Sequence, residues 1–218
     1  MLIEVWGDYA CFTRPEFMAE RVTYDVLTPS AARGIVEAIY WHPSVKWTIE
    51  RIFVLNPIKT MSIKINEVGE KISSRAVQKA IKDRNLQNAL FLSTENCRQQ
   101  RNSLILKDVH YVIEAKFSTP SREMDGKVAD ITRRRLDKGA CHSQPYLGMK
   151  EYPANFQKFE GTVNDLKKST LFPGMKGLGL MFYDRDYKTD TPMFFNAMLE
   201  DGCLDLRNIH PLRMSKGV

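Results

Sequence analysis

Residues 109–117, Val-His-Tyr-Val-Ile-Glu-Ala-Lys-Phe, alternate in a way that only an extended chain can use. A side-chain period of two puts Val109, Tyr111, Ile113, Ala115 and Phe117 on one face, the expected core face. His110, Val112, Glu114 and Lys116 take the other. One such strand commits the chain to a sheet. At roughly 3.3 Å per residue, His110 and Lys116 stand about 20 Å apart and cannot share one compact site.

Other strands are expected at Leu2–Trp6, ending in a turn at Gly7-Asp8, and in the stretch 20–29. Residues 47–68 read as strand, Pro57 interruption, strand. Helical patterns fall between them at irregular intervals. Residues 28–43 make a short helix with Thr28 as N-cap, Pro29 in the first turn and Pro43 as the stop. Its stripe is Ala32, Ile35, Val36 and Ile39. Arg33 and Tyr40, seven residues apart, fall about 20° from each other on the rim of that stripe. Residues 73–92 form a second candidate, with Ala76, Ala80 and Ile81 inward and Arg75, Lys79, Lys82 and Arg84 outward. Residues 130–139 form a third, ending at Gly139. Such irregular mixing lacks the βαβ period of a doubly wound fold. It favours α+β architecture of the ferredoxin-like kind. The polar Pro/Gly stretch 118–126 reads as a domain boundary or a hairpin tip; as a boundary it gives domains 1–120 and 121–218.

The 218 residues are 43% apolar, which suits a globular chain. No apolar run approaches the roughly 18 residues of a membrane span. The first ten residues carry Glu4 and Asp8, where a signal peptide would be basic and then apolar. The four cysteines are scattered, with no C-x-x-C pair, as expected of free thiols in a reducing cytoplasm. Net charge is +6 and is clustered, most visibly in Arg133, Arg134 and Arg135. Clustered cations suit a polyanion, because binding releases its counterions. Nucleic acid is the expected partner, against the alternative of an ordinary lysine-rich surface, and charge alone does not choose between RNA and DNA.

Motifs exclude more than they assign. There is no Walker loop, no G-x-S-x-G and no H-E-x-x-H. The run Pro173–Tyr183 contains G-x-x-G-x-G, but no strand before it or helix after it fits a dinucleotide site. It reads as a plain turn or as a glycine loop bringing Lys176 to a phosphate backbone. His42, His110, His142 and His210 are too far apart for a local zinc signature, so neither a metal nor another cofactor is expected. Lys116 beside Glu114 is, on pattern alone, a solvated strand cation.

Residues 32–47 (ARGIVEAIYWHPSVKW) and 133–156 (RRRLDKGACHSQPYLGMKEYPANF) resemble signatures of the CRISPR-associated Cas5 family, in its type I-C (Dvulg) branch of the RAMP superfamily. The segments EVWGDYACFTRPEF and KDVHYVIEAKF fit the same pattern in the same order. The resemblance spans essentially the whole chain and implies a ferredoxin-like, RNA-recognition-type N-terminal domain with a smaller antiparallel β-rich C-terminal part. It implies a metal-independent endoribonuclease that cuts precursor CRISPR RNA near the base of the repeat hairpin. It further implies retention of the 5′ handle of the mature crRNA beside the other subunits of a type I-C interference complex. A non-cutting handle binder and a DNA-binding or metal-dependent nuclease are the alternatives.

Metal-free RNA cleavage drives the 2′-hydroxyl onto its own phosphate and leaves a cyclic phosphate and a 5′-hydroxyl. The step needs help in deprotonating the 2′-OH, a proton for the leaving oxygen and a cation for the phosphorane. The resemblance implies a tyrosine at Tyr40, a lysine at Lys116 and a histidine beside that lysine. Phe117 occupies the histidine's place, so His42 is the remaining candidate near Tyr40. Arg33, Arg133, Arg134, Arg135, His142 and Lys176 are expected RNA-binding residues. The three consecutive arginines fan over about 200°, so they suit phosphates rather than one base edge.

Overall fold

A computed structural model describes residues 1–17, 20–83, 90–168 and 170–213. The elements run β1 (Leu2–Ala10), β2 (Arg21–Val22), α1 (Pro29–Ile39), β3 (Lys46–Val54), β4 (Lys59–Val68), α2 (Ser74–Lys82) and α3 (Thr94–Cys97). They continue as β5 (Arg98–Ser118), α4 (Arg122–Lys138), β6 (Asn155–Lys158), α5 (Val163–Lys168), β7 (Met175–Asp186), β8 (Thr191–Glu200), β9 (Cys203–Asp205) and β10 (Leu212–Arg213). The chain is α+β. One sheet follows the path β10-β8-β9-β3-β5-β1-β6, with β2 and β4 also on β5 and β7 on β8. The pairs β1–β5, β3–β5, β3–β9 and β7–β8 are antiparallel.

Two compact units result: residues 1–61 with 104–218, and residues 62–103. The sheet path of the larger unit carries strands from both sides of residue 120. In the smaller unit Arg101 pairs with Glu67 at 3.6 Å, and the Gly69 N–H donates to the Cys97 carbonyl.

The core of the larger unit begins with β5. Val109, Tyr111, Ile113 and Ala115 are buried, as the alternation requires, and Phe117 is half-buried edge-to-face against Trp47. Val112 is buried too. The opposite face is therefore not simply solvated: Val112 packs with Phe53, Leu166 and Cys203. Helix α1 buries Pro29, Ala32, Ile35, Val36 and Ile39. The Thr28 hydroxyl accepts from the Ala31 N–H at 3.3 Å, closing the expected cap.

Four local expectations are corrected. Strand β1 runs straight through Gly7-Asp8 instead of turning. A Cβ at Gly7 would lie 2.5 Å from Leu147 Cδ1, so a larger residue there would displace that buried side chain. Helix α2 stops at Lys82, and of the three residues expected inside only Ala80 is buried; Ala76 and Ile81 are exposed. Arg84 lies outside the described residues. Helix α4 begins at Arg122, inside the expected loop, because Ser121 caps it by accepting from the Met124 N–H. Its end at Gly139, in left-handed conformation with φ 62°, is as the sequence indicates. The glycine run from Pro173 is strand β7, not a loop, held by β8 from Met175↔Glu200 to Asp186↔Thr191. A register shift between Gly177 and Gly179 absorbs the glycines. Among the described residues no helix is long and apolar enough to cross a membrane. All four cysteines are free thiols.

Candidate nucleic-acid interface

Helix α1 leaves carbonyls unsatisfied at its C-terminus, as every helix does. The helix ends at Ile39, earlier than Pro43 would impose, and Tyr40 caps it in extended conformation. The helical angle that would stack Tyr40 above Arg33 does not apply past that point. The His142 N–H donates to the carbonyls of Ala38 (2.9 Å) and Ile39 (3.2 Å), and the Ser143 N–H to Ala38 (3.0 Å). The Arg135 guanidinium donates to the Ile39 carbonyl and lies 5.2 Å from the centre of the Tyr40 ring. A cation suits both partners, the negative end of the helix dipole and the face of the ring. From the sheet, Trp47 Nε1–H donates to the Tyr40 carbonyl at 3.0 Å.

Beyond Tyr40 the chain stays at this corner. The indole of Trp41 stacks on the His142 imidazole with centroids 6.1 Å apart and planes at 23°. His42 closes the following turn, its Nδ1 accepting from the Ser44 N–H and its carbonyl from the Val45 N–H. Tyr40, His42, Arg135 and His142, expected from distant parts of the chain, thus gather around one helix end. Trp41 and Trp47 belong there too and were not among the expected residues. The signal for Trp41 was available: a large aromatic beside Tyr40 in a segment that Pro43 keeps from remaining helical.

The other candidates lie elsewhere. Arg33 donates to Glu37 and to Asp184, each at 2.9 Å, and so bolts α1 to β7. Burial alone would lower the Arg33 guanidinium, but the carboxylates of Asp184 and Glu37 outweigh it and raise it. Lys116 stands opposite Thr48 on β3, next to the Trp47↔Phe117 pair. Strand alternation therefore sends it to the face away from Trp47, where it is 73% exposed and 3.9 Å from Glu50. That face is densely ionic: Arg51 pairs with Glu114, and Arg207 with Asp205. The Arg207 guanidinium holds the Asp205 carboxyl below its ordinary range. Arg133 pairs with Asp130 at 3.2 Å, whereas Arg134 is exposed, so the arginines do fan out. Lys176 projects from β7 opposite Leu199. His110 bonds Glu4 at 2.7 Å, six residues before Lys116 in the middle of β5.

A groove of about 740 Å³ runs between α1, the start of β3 and the β7–β8 ribbon. Arg33, Lys46, Trp47, Tyr183, Lys188 and Arg213 are among the residues lining it. Tyr183 and Tyr187 offer aromatic faces there, and its cations slightly outnumber the carboxylates of Glu37, Asp184 and Asp186, which pair with Arg33 and Arg213. Among the described residues no group of three His, Cys, Asp or Glu side chains is placed to hold a metal ion.

Comparison with known proteins settles the lineage. The family model described as CRISPR-associated protein (Cas_Cas5) matches residues 1–208. The chain belongs to the Cas5d family. It is 43% identical over 213 residues to the CRISPR pre-crRNA endoribonuclease Cas5d of Mannheimia succiniciproducens, covering 94% of this chain and 93% of that one. It is 36% identical over 227 residues to the protein of the same name from Thermus thermophilus, covering 94% and 90%. The fold is similar to that of a CRISPR-associated protein known from a crystal structure (TM-score 0.67, 20% identity, 94% and 90% covered). It is also similar to a functionally uncharacterized Streptococcus mutans protein (TM-score 0.63, 19% identity, 94% and 90% covered).

Proposed function

We propose that this member of the Cas5d family is a pre-crRNA endoribonuclease. It cuts the repeat of precursor CRISPR RNA in the cytoplasm and stays on the 5′ handle of the product within a type I-C interference complex. The observation that carries the reading is the 43% identity, across nearly both chains, to the Mannheimia pre-crRNA endoribonuclease.

The chemistry is a metal-independent transesterification. Tyr40 and Lys116 flank the scissile phosphate, with Lys116 balancing the charge that grows on the phosphorane. Tyr40 orients the 2′-hydroxyl through its phenol oxygen. Lys116 and Tyr40 lie towards opposite faces of the sheet, so the RNA must reach Lys116 past the strand ends at Lys46 and Ser118. His42, Arg135 and His142 contact the RNA at the end of α1, and Arg133, Arg134 and Lys176 neutralise phosphates further out.

A specific observation favours the second reading, a subunit that binds the handle without cutting. Phe117, in the place where the resemblance calls for a histidine, packs on Trp47 and offers no proton. Incubating the purified protein with its cognate repeat RNA in EDTA separates the two. Products ending in a 5′-hydroxyl and a cyclic phosphate support the nuclease; retention of intact RNA supports the binder.

A further inference from the structure

Trp41 is 54% exposed, although tryptophan loses more than most residues by standing in water. Its companions Trp6 and Trp47 are half-buried and buried. Nor is it loosely held. One side of the indole lies near-parallel to His142, whose backbone is fastened to the last carbonyls of α1. Four residues before His142 is Lys138, and one helical turn before that is Arg134. Both are exposed, and neither makes an ion pair among the described residues. The two share one face of α4, and Lys138 stands in its last turn, where a cation suits the helix dipole. Arg135, between them in sequence, ties the same turn to residues 39 and 40.

We infer that the Trp41–His142 pair is a stacking platform for one unpaired nucleobase, with Arg134 and Lys138 neutralising the adjoining phosphates. The inference rests on the reading of this protein as an RNA-processing factor. A purely apolar protein partner would have no use for two exposed cations on the helix that leads into His142. A nucleotide uses both, a π-face for the indole and a phosphate for the guanidinium or ammonium. A base inside a stem already has both faces stacked, so the platform takes a nucleotide flanking the hairpin or splayed from it. Every base has a π-face, so the platform tolerates any base and sets register rather than sequence.

The test is a titration of wild type, Trp41→Ala, Trp41→Phe and the Arg134→Ala/Lys138→Ala double variant with cognate repeat RNA. Affinity, tryptophan fluorescence and salt dependence are followed. Wild type should show quenching on binding. Trp41→Ala should lose that quenching and about tenfold in affinity, with Trp41→Phe close to wild type in affinity. The double variant should lower the salt slope by about two units. Circular dichroism melting reports whether each variant folds. If Trp41→Ala does not fold, the double variant's unchanged slope alone overturns the proposal. Wild-type affinity and persistent quenching in a folded Trp41→Ala would overturn the platform while leaving the RNA reading intact. Failure of the wild-type protein to bind RNA at all would remove both.

Discussion

At the scale of single residues, position follows from who satisfies whose backbone. Tyr40 is fixed through its neighbours: Arg135 above the ring, Trp47 on the carbonyl and the Val36 carbonyl on its N–H. None of these uses the phenol oxygen. Tyr40→Phe should therefore leave the melting temperature unchanged while lowering single-turnover cleavage at saturating enzyme. Lys116→Ala should lower the same rate by about 10²-fold or more with RNA affinity nearly kept, since a charge-stabilising group contributes about 3 kcal/mol in the transition state. Wild-type rates in both variants would put the active site elsewhere. A different residue sets an alkaline limit on stability. Burial, followed by the Asp205 charge, pushes the Cys203 thiol from 9.0 up to about 11. A group raised in the folded state favours folding fully below its unfolded value and loses that contribution as pH climbs to the folded one. Urea midpoints should thus fall between about pH 9 and 11, and part of that fall should vanish in Cys203→Ala.

Elements are governed by contacts that no local pattern contains. Gly148 has φ 86°, and a Cβ there would lie 2.1 Å from the Cys11 carbonyl oxygen. Gly148→Ala should cost on the order of 3 kcal/mol, seen as a shifted urea midpoint with unchanged slope. Arg33→Ala should cost about 2 kcal/mol, because it strands Asp184 and uncouples α1 from β7. A loss of RNA affinity with full stability would instead make Arg33 a phosphate ligand. Sequence could read α1 because its stripe, Thr28 cap and Pro29 are all local, and the end of α4 because Gly139 alone accounts for it. It could not read β7. Met175–Asp186 carries two glycines and extends only because β8 pairs with it along its length. Nor could it see that His142 would be carried to Tyr40, since 102 positions separate them and only the fold closes that gap. The face of Lys116 was legible from alternation. That Tyr40 lies towards the other face required the bond from Trp47.

For the whole molecule, charge and sheet architecture set the behaviour. With net charge +6, RNA affinity should fall linearly in log–log form with salt, the slope counting the phosphates neutralised. A flat response would argue against any phosphate-led interface. Function itself was legible mainly through the resemblance, because a metal-free nuclease needs no motif of fixed spacing. The sheet has its own consequence. Residues 111–114 are flanked by β1 on one side and β3 on the other, from Val5↔Tyr111↔Val54 to Leu2↔Glu114↔Arg51. Three of those four side chains are buried. Amides there have no small opening that would expose them, so their exchange with deuterium must wait for the unit to come apart as a whole. Their protection factors should be the largest in the protein and should match the free energy of global unfolding, making this stretch of β5 a built-in gauge of how stable the molecule is.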